Sequence, residues 1–177
     1  LFGFDHPHEP RAACYTVATK RDQARIVFDE IKRFVERQPE LRQLVKILRS
    51  NMTIPSTGST LEPLGSDSKT KDGLIPHGIA LDELHAWSHY HDELWDKLAT
   101  AMGKRRQPLL ITITTAGNER STVWRYQYDA AVDVVTPACP TKAEDEFVYI
   151  AEIDEGDDPL DEAVWGKANP LLDLGVV

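Results

Sequence analysis

Asp82 and Glu83 stand side by side after a short apolar run, Gly78-Ile79-Ala80-Leu81. Adjacent carboxylates at a strand end can divide the work of hydrolysis. One holds Mg²⁺, directly or through water, because that ion prefers hard oxygen ligands and keeps several waters. Its neighbour orients a water aimed at a phosphoryl group and takes the proton. The same pair could instead cap a helix that follows. A second run, LLITITTAG (109–117), ends in Thr114, Thr115, Ala116 and Gly117. Those hydroxyls would share the sheet edge with the acids, although Thr also simply suits strands and Gly a C-terminal turn. Arg105 and Arg106 precede this run. A guanidinium fork neutralises spreading phosphoryl charge, whereas the plainer reading is a solvated helix end whose bases oppose the dipole. In HAWSHYH, His85 and His89 fall at i, i+4 with His91 near, a metal-binding spacing on a helix. The HExxH order is missing, so solvated or capping histidines are the simpler assignment.

In open parallel sheets ligands sit beyond the carboxyl ends of the strands, so the remaining elements must build such a sheet. Cys14–Ala18 reads as a buried strand. Thr19 offers an N-cap for a helix to Arg37, whose Ala24, Val27, Phe28, Ile31, Phe34 and Val35 form one apolar stripe. Pro39 interrupts, and PELRQLVKIL predicts a second short helix. Residues 51–64 predict a hairpin with Gly58 in the turn, followed by the polar loop GSDSKTKDGLIP. After the strand 78–81 come a helix over 90–103, the strand LLITITT, a helix over 121–134 and a strand at FVYIAEI. This alternation predicts an α/β fold with a mostly parallel sheet flanked by helices.

The 177-residue length suits one domain with a real core, and 41% hydrophobic with 28% charged residues is an ordinary globular composition. No apolar run approaches the ~18 residues of a membrane helix, and no signal peptide opens the sequence. Cys14 and Cys139 lack CxxC spacing and read as inert core thiols. The net charge of −9 is local: residues 1–141 hold 18 acids and 18 bases, while 144–162 hold ten acids and no base. That segment reads as a solvated linker, and the overall sign says little about contact with nucleic acid.

An apolar strand ending in Asp-Glu is the Walker B pattern of P-loop ATPases. Four segments, ATKRDQARIVFDE (18–30), GSDSKTKDGLIPHGIALDELHAW (65–87), RRQPLLITITTAG (105–117) and WGKANPLL (165–172), resemble the large terminase subunit of tailed bacteriophages. The resemblance implies a P-loop NTPase-like (RecA-like) fold, here a partial domain. It also implies an ATP- and Mg²⁺-dependent motor that packages double-stranded DNA into a procapsid. Expected partners are the portal protein, the small terminase subunit and further copies in a ring, in the cytoplasm of a bacterial host, with no membrane.

By position, Asp82 would be the Mg²⁺-linked acid, Glu83 the catalytic base, and Thr114, Thr115, Ala116 and Gly117 a nucleotide-sensing coupling motif. Arg105 or Arg106 would be a finger reaching a neighbouring subunit's nucleotide. The sequence departs from the full pattern: it holds no GxxxxGK[ST] loop, and GSDSKT (65–70) has Ser68 where the second Gly must stand. The expectation is an internal fragment that is itself a poor ATPase. Residues 1–141 would be the ATPase part, and 142–177 an acidic linker towards a nuclease domain. DELH followed by ITTAG also echoes DExH-type helicases, and a non-catalytic nucleic-acid or assembly module would keep such a fold without its site.

Overall fold

The run Ala13–Ala18 forms β1, buried along almost its whole length, because both its faces are covered. A computed structural model describes residues 11–66, 73–118, 120–136 and 145–172, apart from the side chain of His89. The loop part Lys69–Asp72, most of the GSDSKT segment and Cys139 lie outside the described residues. After β1 come α1 (Arg21–Arg37), α2 (Pro39–Leu44), β2 (Lys46–Ile47), β3 (Met52–Ile54), β4 (Ser59–Gly65) and β5 (Pro76–Asp82). Then follow α3 (Asp92–Met102), β6 (Leu109–Ile113), α4 (Thr122–Val135) and α5 (Trp165–Ala168). The six strands form one sheet in the order β2-β3-β4-β1-β5-β6. Strands β4, β1, β5 and β6 run parallel, and β2-β3-β4 are antiparallel. The expected mostly parallel α/β sheet is therefore present, as is the hairpin, with Gly58 at φ +70 in its turn.

Side chains of β1 alternate between two apolar layers, as the strand period requires. Tyr15 and Val17 join Ile79, Leu81, Leu84, Trp87 and Leu98 on one face. Cys14 joins Phe28, Val35, Met52 and Leu61 on the other. The buried Thr16 hydroxyl donates to the Ala24 carbonyl at 2.9 Å, tying β1 to α1 without an orphaned polar atom.

Several expectations need correction. Thr19 does not cap α1; Lys20 holds the cap position, and the Thr19 hydroxyl bonds Gln23 Oε1 at 2.6 Å. Phe34 lies off the buried stripe, 55% exposed, because the helix turns it past the sheet. VKIL does not extend α2: Lys46 and Ile47 form β2, whose pairing with β3 offers more than another helical turn. HAWSHYH is not one helix but two 3-10 turns, Leu84–Ala86 and His89–His91, so the i, i+4 histidine face never forms.

By its contacts the chain divides into two units, Leu1–Tyr128 and Asp129–Val177. In the second unit FVYIAEI makes no strand; it is irregular, with Phe147 92% and Tyr149 69% exposed. β-propensity without a neighbouring ladder does not make a strand. Two acids of the run meet at Lys167, whose Nζ lies 2.5 Å from Asp154 Oδ2 and 2.7 Å from Asp157 Oδ2. The Lys167 hydrogen bond holds the Asp157 carboxyl below its usual range. Asp161 caps the next 3-10 turn by accepting from the Ala163 N–H at 2.9 Å.

Candidate active site at the carboxyl ends of β5 and β6

Asp82 is the last residue of β5, and its register partner is Ile113, the last of β6. The Glu83 N–H continues that ladder by donating to Ile113 O at 3.1 Å, and it also donates to Asp82 Oδ1 at 3.0 Å. Glu83 then takes a left-handed conformation, φ 57 and ψ 44. For a residue with a Cβ this costs on the order of 1 kcal/mol. The turn it makes has a packing cause: the chain must leave the strand so that Leu84 and Trp87 enter the core, at 1% and 0% exposure. The two carboxylates are thus neighbours on the rim of the sheet, and neither heads an α-helix as a simple cap would. Glu83 does flank the 3-10 turn, but its side chain makes no cap bond there.

β6 ends beside this turn. His85 N donates to Thr114 Oγ1 at 2.9 Å, and His85 Nδ1 lies 3.2 Å from Thr115 Oγ1 and 3.4 Å from Thr114 Oγ1. The same Nδ1 is 3.1 Å from Glu83 Oε2. Ser121, buried just before α4, hydrogen-bonds the His85 carbonyl through its hydroxyl and accepts from Asn118 N at 3.3 Å. Asp82, Glu83, Thr114 and Thr115 therefore meet at one edge, as their sequence positions imply. His85 and Ser121 complete the arrangement. The sequence signal for His85 was its place two residues after Glu83, where it read as a solvated or capping histidine.

Gly117 has a second reason to be glycine. A Cβ there would lie 2.5 Å from Trp124 Cδ2, so the loop passes directly over the indole. Trp124 in turn stacks on Tyr128, with ring centroids 5.1 Å apart. Arg105 is at the far end of the sheet. Its Nε donates to Ile75 O at 3.2 Å and its guanidinium to Arg11 O at 3.0 Å, the carbonyls just ahead of β5 and β1. Arg106, exposed, follows in the same loop. A strand's length separates this loop from Asp82, so neither Arg105 nor Arg106 joins this rim.

The donor set at the rim is mainly oxygen, two carboxylates and two hydroxyls, with one imidazole nitrogen, His85 Nδ1, beside them. This fits Mg²⁺, which uses one or two protein carboxylates with waters and phosphates, and it does not fit a soft-metal cage. Among the described residues no group of three or more His, Cys, Asp and Glu is placed to hold a metal ion. His91 Nδ1 instead accepts the Ser88 N–H at 3.0 Å. A groove of about 330 Å³ along α3, lined by residues such as Leu74, Asp96 and Lys104, lies apart from the carboxylates. Among the described residues no helix is long and apolar enough to cross a membrane.

Comparison with known proteins fits this geometry. The model of the family "Terminase large subunit, ATPase domain" matches residues 2–132. The large terminase subunit of Enterobacteria phage HK97 is 29% identical over 159 residues, 88% of this chain and 30% of that protein. Protein YmfN of Escherichia coli K12 is 40% identical over 106 residues, 59% of this chain and 22% of that protein. The chain thus spans less than a third of either curated relative. Among solved structures, the HK97 large terminase superposes with a TM-score of 0.76 at 25% identity, covering 96% of this chain and 34% of that one. The Thermus phage P74-26 large terminase ATPase domain gives 0.53 at 18% identity, covering 80% of this chain and 61% of that one, a likeness of fold alone. With the family match running through both β5 and β6, this chain belongs to the family of terminase large subunit ATPase domains.

Proposed function

We propose that this chain carries the hydrolytic half of an ATP site in a DNA-packaging motor of a tailed phage. The observation that supports it most is the pair Asp82–Glu83 on the sheet rim, with the Thr114 and Thr115 hydroxyls gathered beside it. Mg²⁺ and ATP, when bound, supply the charge-neutralising cation and the phosphoryl group. Asp82 holds the cation side of the site through a carboxylate already fixed at Oδ1 by the Glu83 N–H. Glu83 orients a water and takes its proton on a carboxylate oxygen. Its side chain is 47% exposed, so solvent reaches it. Thr114 and Thr115, at the end of β6, register the state of the phosphates.

The finer reading extends the family's activity to this protein. The motor translocates double-stranded DNA into a procapsid, with the portal protein, the small terminase subunit and a ring of identical copies as partners, in the host cytoplasm. Arg105 or Arg106 would act across the ring. Residues 1–141 form the ATPase part, and 142–177 form an acidic connection towards a nuclease domain. Since the sequence holds no GxxxxGK[ST] motif, these 177 residues by themselves are a poor ATPase.

The test is ATP turnover by the complete protein that carries these residues. Glu83→Gln lowers kcat by about 10²–10⁴-fold, the usual size of a lost general base, while equilibrium nucleotide binding persists. Unchanged turnover in that variant sinks the assignment.

A further inference from the structure

The hydrolytic assignment of Glu83 leaves His85 without a role, yet this residue touches Glu83, Thr114, Thr115 and Ser121. Its backbone N–H is held by Thr114 Oγ1 and its carbonyl by the Ser121 hydroxyl. The ring Nδ1 lies between Glu83 Oε2 at 3.1 Å and Thr115 Oγ1 at 3.2 Å. The Thr114 hydroxyl already accepts from His85 N and donates to Thr115 O at 2.9 Å, so its longer approach to the ring is secondary. One ring nitrogen can offer one hydrogen, and a carboxylate can only accept. When Nδ1 carries the hydrogen, Glu83 and Thr115 therefore compete for it.

Stability does not explain this arrangement. The ring is 29% exposed and the carboxylate 47%, a setting in which a polar pair contributes little. What the arrangement does achieve is a mechanical link. A displacement of the β6 end that brings Thr115 nearer the ring weakens the hold on Glu83, and withdrawal of Thr115 strengthens it.

We propose that His85 is a positioning residue, through which the Thr114–Thr115 end of β6 sets the aim of the Glu83 carboxylate. This rests on the assignment of Glu83 as the base and adds to it the group that controls it. Steady-state kinetics on the complete protein test it. His85→Ala lowers kcat about ten- to a hundredfold, the scale of a misaimed catalytic group, with KM for ATP unchanged. His85→Asn, which keeps an N–H near the Nδ1 position, stays within about threefold of wild type. The effect of Thr115→Val on kcat disappears in the His85→Ala background, because Thr115 acts on Glu83 through the ring Nδ1.

A wild-type kcat in His85→Ala, an Asn variant as slow as the Ala variant, or strict additivity each overturns the proposal. Glu83→Gln separates the two levels: turnover surviving there defeats the hydrolytic reading itself, while its loss beside an unimpaired His85→Ala defeats only the positioning role. Should the Ala variant fold poorly, ring-nitrogen NMR of His85 in the 177-residue chain decides. Glu83→Gln and Thr115→Val each move the Nδ1 resonance, and a resonance unmoved by both counts against the link.

Discussion

β5 and β6 are adjacent parallel strands of similar apolar sequence, PHGIALD and LLITI, yet they live in different surroundings. Ile79 and Leu81 of β5 are 0% and 2% exposed, whereas Leu109, Ile111 and Ile113 of β6 are 48%, 38% and 66% exposed. The difference comes from cover. Ile79 and Leu81 face the Tyr15–Trp87 layer, whereas Leu109, Ile111 and Ile113, aligned with Gly78, Ala80 and Asp82, face the side of α1. That helix packs over β4 and β1 and barely reaches β5, leaving that face of β6 open among the described residues. On the opposite face Leu110 still packs against the Tyr15–Trp87 layer. β5 is therefore a fixed platform for Asp82, and β6 is an edge held on one side. Asp82 thus ends a strand covered on both faces, while Thr114 and Thr115 follow a strand packed on one.

Were the two strands equally covered, substitutions in them would cost alike. Ile79→Ala removes a fully buried side chain and lowers stability by about 2–5 kcal/mol in urea unfolding. A loss below about 1 kcal/mol would mean that the covered strand is no more fixed than the edge.

A second measurement probes the covered region through β1. Burial pushes the Cys14 thiol up from 9.0 to about 11, partly offset by a hydrogen bond with the Gly78 backbone and by Arg105. Burial likewise raises the Tyr15 phenol to about 12, with Glu62 adding to it. These groups fold protonated, so their preference is fully present below pH 9, where the unfolded thiol is also protonated. It turns against folding as the pH rises from 9 to 11, because only the unfolded thiol ionises readily. Two pKa units correspond to about 2–3 kcal/mol. Stability should therefore fall with pH above 9, and Cys14→Ala should flatten the part of that slope below pH 11. An unchanged slope would place Cys14 in wetter surroundings than β1 provides.

The smallest effect belongs to the edge. Ile111→Ala changes stability by about 0.5–1 kcal/mol or less, since much of the side chain is already in water. A cost matching that of Ile79→Ala would show that β6 is covered after all.

Much of this was legible in the sequence, for physical reasons. Short apolar runs identified β1, β5 and β6, Gly58 marked the hairpin, and a 3.6-residue stripe identified α1, because runs and stripes encode which residues are buried; α3 and α4 were also read from the sequence. Asp82 and Glu83 followed from their place after a buried strand, and Thr114 and Thr115 from the same logic one strand over. What misled was propensity without context. FVYIAEI has strand composition and no ladder partner; VKIL has helical neighbours and an open strand edge beside it; Phe34 fits the stripe by count and points past the sheet.

The sequence by itself thus determined the parallel α/β order and the acids and hydroxyls at the strand ends, because chain order and alternation dictate both. Tertiary structure alone decided three things: that β6 is open where β5 is closed, that Arg105 is drawn to the carbonyls before β1 and β5, and that His85 stands between Glu83 and Thr115. Each depends on distances between residues roughly thirty or more apart in the chain, fixed by strand register and by the left-handed turn at Glu83, and no local pattern encodes them.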